Sequence, residues 1–262
     1  MDTTALLDWY ARVRRPLPWR ATRDPYELLV SEIMLQQTQA ARVVPYYEAF
    51  LVRFPDAASL AAAPTRDVLA AWSGLGYNRR ALALQAAARV VAERGWPEDL
   101  TDLPGVGPYT AAAVGSFAWN REQAAVDTNA RRVIERFDGE HRRAAALAER
   151  AAELLPPGRA ADFNQAMMEL GATVCRPRAP RCAECPVREG CAGGPVTPSR
   201  RRGAERFEDS DRWARGRILA ALLAGEQPPA AVSGARRARA LAGLERDGLI
   251  VIGPDGSPRL PS

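Results

Sequence analysis

Residues 103–114 read LPGVGPYTAAAV: two glycines and two prolines in a tight turn, then a run whose composition suits only a helix. Glycine lets backbone approach a partner closely, and unpaired N–H groups at a helix start attract anions. Gly105, Val106 and Gly107 are therefore a candidate cradle for a phosphate. Pro108 suits the first position of the helix, and a plain helix N-terminus would account for the same residues. The Gly-x-x-x-x-Gly-Lys spacing of a mononucleotide loop is absent.

Outward from this turn, apolar residues recur at helical spacing over roughly 3–14, 25–39, 42–53, 65–72, 79–94, 108–118, 128–137, 143–155 and 161–173. Strand patterns are nearly absent. The stretches FPDAASLAAAPT, SGLGYN and RGWPEDLTDLPGVG read as the breaks between alanine-rich helices, so the expected fold class is all-α with short connections. After Cys191 the composition turns to Gly, Pro and Arg, a linker over 192–210. A small module at 211–262 follows, with helical patterns at 211–224 and 234–247 and then LIVIGPDGSPRL, whose Pro-Asp-Gly reads as a hairpin, together winged-helix-like.

The chain has 262 residues, 47% of them apolar, enough to build a core, and its net charge of +5 suggests an acidic partner such as nucleic acid. All 36 basic residues are arginine, so no lysine amine is available to form a Schiff base. The N-terminus lacks a charged start followed by a long apolar core, and no stretch approaches the ~20 apolar residues of a membrane helix. The expectation is a cytoplasmic protein with no membrane partner, a setting in which cysteines serve as metal ligands or reactive thiols more often than as disulfides.

Cys175, Cys182, Cys185 and Cys191 all fall within CRPRAPRCAECPVREGC, spaced x6, x2, x5. Structural zinc prefers two close pairs or added histidines, and the sole histidine, His141, lies far away in GEHRR, which reads as an exposed turn; zinc is the weaker choice. One close pair with two wider flanking ligands fits a [4Fe–4S] cluster. Arg176, Arg178, Arg181 and Arg188 lie among these cysteines, with Arg200 and Arg201 after them. On a rigid loop they would present a fixed surface to phosphates, although such charge can also merely solvate a loop.

In DPYELLVSEIMLQQTQ, helical spacing puts Glu32 on or beside a face of Leu28, Leu29, Ile33 and Leu35. Burial there would raise its pKa and let it hold a proton as a general acid does; at the edge of the stripe it would simply reach water or an arginine. Gln36, Gln37, Thr38 and Gln39 follow without charge and offer groups able to pair with base edges. Asp127 stands just before a helical pattern, the place of an N-cap, where free N–H groups favour its ionised form. One protonated and one ionised carboxyl is the pairing that glycosidic bond cleavage uses.

Taken in order, LPWR (17–20), SEIMLQQTQ (31–39), GLGYNRR (74–80), LPGVGPYTAAAV (103–114), AVDTNARRV (125–133), FNQAMMELGATVC (163–175) and the cysteine loop resemble the helix-hairpin-helix DNA glycosylases of the endonuclease III superfamily. Within it the chain most resembles the adenine glycosylases of the MutY type. The resemblance covers about residues 5–191. It implies a two-lobed fold, with a six-helix lobe at 20–127 and a [4Fe–4S] lobe built from 1–19 and 128–191. It implies a double-stranded DNA partner containing a mismatch or oxidised guanine, bound by a monomer that hydrolyses the N-glycosidic bond of adenine opposite 8-oxoguanine or guanine.

Carried over by position, Glu32 would protonate adenine, Asp127 would stabilise or capture the sugar cation, and Asn129 would orient Asp127. Arg15, Trp19, Arg20, Leu35 and Gln165 match positions of the flipped-base pocket, while Gln37, Thr38, Leu75 and Tyr77 match those that probe the opposite strand and wedge the stack. At Tyr109 strand-cutting relatives keep a lysine; a phenol forms no imine, which implies a monofunctional enzyme without lyase activity. Adenine glycosylases of this type usually add a large strand-rich domain that reads 8-oxoguanine. About 55 residues follow the linker here, too few for that domain. Two alternatives stay open: a thymine or uracil mismatch glycosylase acting opposite guanine, and an iron–sulfur DNA-binding regulator.

Overall fold

The structure is a computed structural model that describes residues 1–194 and 206–261. Most of the expected linker, with Arg200 and Arg201, lies outside the described residues. Among the described residues the chain forms twelve α-helices and one two-stranded antiparallel hairpin, in accord with the expected helical class. None of these helices is long and apolar enough to cross a membrane.

Packing divides the chain into two compact units, the first comprising Met1–Glu32, Glu98–Asp102 and Val106–Ser199 and the second Ile33–Pro97, Leu103–Gly105 and Arg200–Ser262. The division cuts one helix after Glu32 and the glycine turn after Gly105, whereas the resemblance draws its lobes at 20–127.

In the first unit, α1 (Thr3–Val13), α8 (Thr128–Asp138), α9 (Ala144–Leu154) and α10 (Ala160–Thr173) enclose a core of Leu6, Tyr10, Ile134, Leu147, Phe163, Met167 and Leu170. Each contributes one apolar stripe at the 3.6-residue period, the pattern visible in the sequence. A second cluster joins Leu28 of α2 (Pro25–Leu35) to Ala113 and Phe117 of α7 (Pro108–Trp119). Buried Asn164 locks this packing: its amide donates to Ser116 Oγ at 3.0 Å and to the Gln123 carbonyl at 2.8 Å, and its oxygen accepts from the Ala125 N–H at 2.9 Å.

The second unit packs α3 (Ala40–Arg53), α4 (Ala57–Ala62), α5 (Thr65–Trp72) and α6 (Arg79–Arg94), with Phe50, Leu60, Leu69, Trp72 and Leu84 fully buried. Phe50 meets Phe54 and Trp72 edge-on at 4.9 and 6.0 Å between ring centroids. The same unit takes in α11 (Asp211–Leu223), α12 (Gly234–Arg246), and strands β1 (Val251–Ile252) and β2 (Pro258–Arg259), paired Val251 to Arg259.

Two segments depart from the expected helices. FPDAASLAAAPT, read as a break, contains α4, which starts in a reciprocal cap: Asp56 accepts from the Ser59 N–H at 2.7 Å and Ser59 Oγ accepts from the Asp56 N–H at 3.2 Å. The helix expected over 25–39 stops at Leu35. Its last carbonyls are taken by a distant side chain, Arg80 of α6, which donates to Ile33 O at 2.8 Å and Met34 O at 3.0 Å. Gln37 then turns left-handed at φ 59°.

Candidate active site

Glu32 lies one turn from the end of α2, 4% exposed among apolar neighbours. The edge-of-stripe alternative is thereby set aside. Burial pushes its carboxyl up to about 7, the Asp127 charge pushes in the same direction, and a hydrogen bond with the Tyr109 phenol opposes both. Near neutral pH about half of such carboxyls carry a proton. Tyr109 stands in the first turn of α7. Burial first, then the Glu32 and Asp127 charges, raise its phenol well above the ordinary value, so it stays neutral. Its hydroxyl also lies 3.9 Å from Met168 Sδ.

Asp127 is the N-cap of α8, as its place in the sequence suggested. Oδ1 accepts from the Asn129 and Ala130 N–H groups at 2.9 and 2.7 Å, and Oδ2 accepts from Asn129 Nδ2 at 2.8 Å. Three donors thus fix the carboxylate in one orientation. Asn129 is itself held: its Oδ1 accepts from Arg132 Nη2 at 2.8 Å, and the same guanidinium reaches Gly171 O at 2.6 Å and Cys175 O at 2.8 Å. Gly171 is required where α10 passes α8, since a Cβ there would lie 2.6 Å from Asn129 Cβ. Arg132 lies within AVDTNARRV, and nothing in that motif marks it for this bracing position.

Four residues matched to the base pocket lie in the same unit. Arg15 clasps Glu169 with two hydrogen bonds, at 2.7 and 2.9 Å, and Arg20 adds a third at 2.7 Å. Burial works to raise the Glu169 carboxyl, but the two arginines outweigh it and hold it below the ordinary value. Gln165 Oε1 accepts a short hydrogen bond from the Tyr10 hydroxyl, and Trp19 is buried. Sequence reasoning missed Tyr10 and Glu169; a glutamate inside the apolar run AMMELGA was the available signal.

The residues matched to opposite-strand contacts lie in the second unit. Arg80 draws them together, donating to the Gln36 and Gly76 carbonyls and to Thr38 Oγ1, with its guanidinium over the Tyr77 ring at 5.5 Å. Burial lowers Arg80 to about 10. Tyr77 is 43% exposed and left-handed, at φ 48°, while Leu75 is buried and Leu35 and Gln36 are half-buried. In the glycine turn, Gly105 has φ 78°, Val106 is buried, and exposed Gly107 caps α7 without any side-chain partner for the first N–H groups.

Cys175, Cys182, Cys185 and Cys191 form no disulfide, and burial raises the Cys185 thiol, with the other three cysteines pushing the same way. Arg136 Nη1 lies 3.2 Å from Cys175 Sγ and donates to Arg176 O at 3.1 Å. The end of the loop is stitched to α8 by Ala192 N–H to Phe137 O at 2.9 Å. Among the described residues no three Cys, His, Asp or Glu side chains are drawn together as a metal-ligating group. Four soft donors in one loop with a guanidinium against the first of them nonetheless suit an anionic metal–thiolate group. His141 is 57% exposed, as expected, with Nδ1 3.1 Å from Glu135 Oε2.

Fold and site together define a helix-hairpin-helix protein of DNA base excision: residues 30–157 match the HhH-GPD superfamily of base excision DNA repair proteins. The adenine DNA glycosylase of Mycobacterium tuberculosis is 42% identical over 288 residues, covering 100% of this chain and 94% of the relative. The chain belongs to the adenine DNA glycosylase family. The human adenine DNA glycosylase is 41% identical over 208 residues, covering 71% of this chain and 38% of that protein. Among solved structures, a thermostable thymine-DNA glycosylase superposes with TM-score 0.67 at 36% identity, covering 72% of this chain and 93% of that one. Endonuclease III in a trapped DNA complex, at 22% identity and TM-score 0.63 over 73% and 92%, has the same fold.

Proposed function

We propose that this chain is a monofunctional adenine DNA glycosylase of base excision repair that hydrolyses the N-glycosidic bond of adenine opposite 8-oxoguanine or guanine. The observation that carries the reading is a buried carboxyl, pushed by burial up to about 7, that shares a hydrogen bond with the neutral Tyr109 phenol and feels the charge of a second, triply hydrogen-bonded carboxylate.

Glu32 supplies a proton to the adenine ring, so the base departs neutral as its bond to the sugar breaks. Asp127 faces the positive charge that then develops on the sugar, with Asn129 holding its orientation, and water adds to complete hydrolysis. Tyr109 keeps its proton and lends the Glu32 carboxyl a fixed partner. With no lysine in the chain, no lysine imine forms on the abasic product. Arg15, Trp19, Arg20 and Gln165 receive the extruded base. The unpaired N–H groups at Gly105 to Gly107 take a backbone phosphate. Cys175, Cys182, Cys185 and Cys191 would hold a [4Fe–4S] cluster, which would stiffen the arginine-bearing loop against DNA.

Duplexes with A opposite 8-oxoguanine, A opposite G and T opposite G, treated with alkali after incubation, test the reading. Cleavage from the two adenine duplexes is expected, with none by Glu32→Gln and no covalent complex on borohydride treatment. Release from the T·G duplex alone would transfer the assignment to the thymine activity named for the solved relative.

A further inference from the structure

Tyr77 is an exposed aromatic held in an unfavourable backbone conformation. Left-handed φ at a bulky residue is sustained only when surrounding contacts over-determine it. Arg80 supplies one contact, from α6. The other comes from the C-terminal module: Arg212 Nη1 donates to Tyr77 Oη at 2.6 Å, with the guanidinium carbon 5.2 Å from the Tyr77 ring centroid. Phe207 lies 5.0 Å from the same guanidinium.

Arg212 is itself fixed. It sits in the first turn of α11, where Ser210 Oγ accepts the Trp213 N–H at 3.3 Å, and Asp211 is gripped twice, at 3.1 Å each, by Arg239 of α12. Arg236 of α12 stacks on Trp213 at 5.0 Å. Beside this contact lies a cavity of about 1680 Å³, lined by Gln37, Thr38 and Tyr77 on one side and by Phe207, Arg212 and Arg217 on the other. It is ample for a nucleotide.

We propose that Arg212 is a positioning residue that sets the orientation of Tyr77 and, through it, the discrimination of the base opposite the excised adenine. The inference rests on the proposed function and on the match of Tyr77 to a position that probes the opposite strand. A phenol bound at its oxygen and covered on its ring by a planar cation has one rotamer to present to DNA, whereas an unheld exposed tyrosine has several. Lysine cannot reproduce this, because a compact ammonium lacks the planar surface.

The test uses the full chain, with Arg212→Ala, Arg212→Lys, Tyr77→Phe and the Arg212→Ala/Tyr77→Phe double variant, each checked for an unchanged Tm. In Arg212→Ala the ratio of base-release rates for A opposite 8-oxoguanine over A opposite G should fall about tenfold, the size carried by one such hydrogen bond and ring contact. Arg212→Lys should fall with it, and the double variant should lose little more than Arg212→Ala alone. A ratio within about twofold of the parent, recovery by lysine as for a simple phosphate contact, or independent multiplication of the two effects would overturn the proposal.

A second readout needs no catalysis. 2-Aminopurine placed beside the base opposite adenine reports unstacking when Glu32→Gln protein binds, and adding Arg212→Ala should diminish that fluorescence rise. If no duplex releases base, the functional reading fails and the fluorescence alone decides for or against Arg212. If base is released and both readouts ignore Arg212, the reading stands and this proposal falls.

Discussion

Glu32 sets the chemistry and carries a stability penalty for it. Its pKa of about 7 in the fold, against 4.5 in the unfolded chain, means that the folded state holds more protons between those values. The proton-linked advantage is complete below about pH 4.5 and is lost as pH rises through about 7. Glutamine keeps the shape and never ionises. Glu32→Gln should therefore unfold at higher denaturant than the parent at pH 8, by on the order of 3 kcal/mol, with the gap closing at pH 4. Equal stability at both pH values would show that the carboxyl reaches water. On the activity side, base release should decline as pH passes 7 upward, because the acid has lost its proton.

At the scale of elements, the glycine turn and the helix ends it joins decide where backbone can meet a phosphate. Gly105 combines a left-handed φ of 78° with a tight neighbour: a Cβ there would lie 2.6 Å from Ala83 Cβ. Gly105→Ala should cost roughly 1–3 kcal/mol in denaturant unfolding. It should also weaken binding to undamaged duplex, since the displaced N–H groups serve any sequence equally. Full-strength binding by a destabilised variant would remove the turn from the DNA interface. The turn and the start of α7 were legible from LPGVGPYTAAAV, because glycine, proline and the alanine run act within a few residues. The early end of α2 was not. No glycine or basic residue marks it locally, and its cap arrives from Arg80, more than forty positions along the chain. The α4 start is legible in Asp56 and Ser59, whose reciprocal cap outweighs the proline signals around it.

For the whole molecule, a net charge of +5 carried by guanidinium groups suits a polyanionic partner, and the cysteine loop places four of these groups in one stretch. Purified protein should be brown and contain iron and sulfide. Cys185→Ser should lose the colour and, by loosening the arginine-bearing loop, raise the Kd for DNA and flatten its dependence on salt. A colourless zinc protein, or unchanged binding by the serine variant, would detach the loop from that role.

The sequence by itself determined the helical class, the family, and Glu32, Asp127 and Tyr109 as the residues to examine, because periodicity, capping and contiguous motifs are local along the chain. Tertiary structure alone decided that Glu32 is buried deeply enough to hold a proton near neutrality. It alone decided that Arg15 and Arg20 spend their charge on Glu169 and that Arg212 reaches Tyr77. Burial and pairing are properties of neighbours brought together by packing, and residues separated by as much as 154 positions leave no local trace of that meeting.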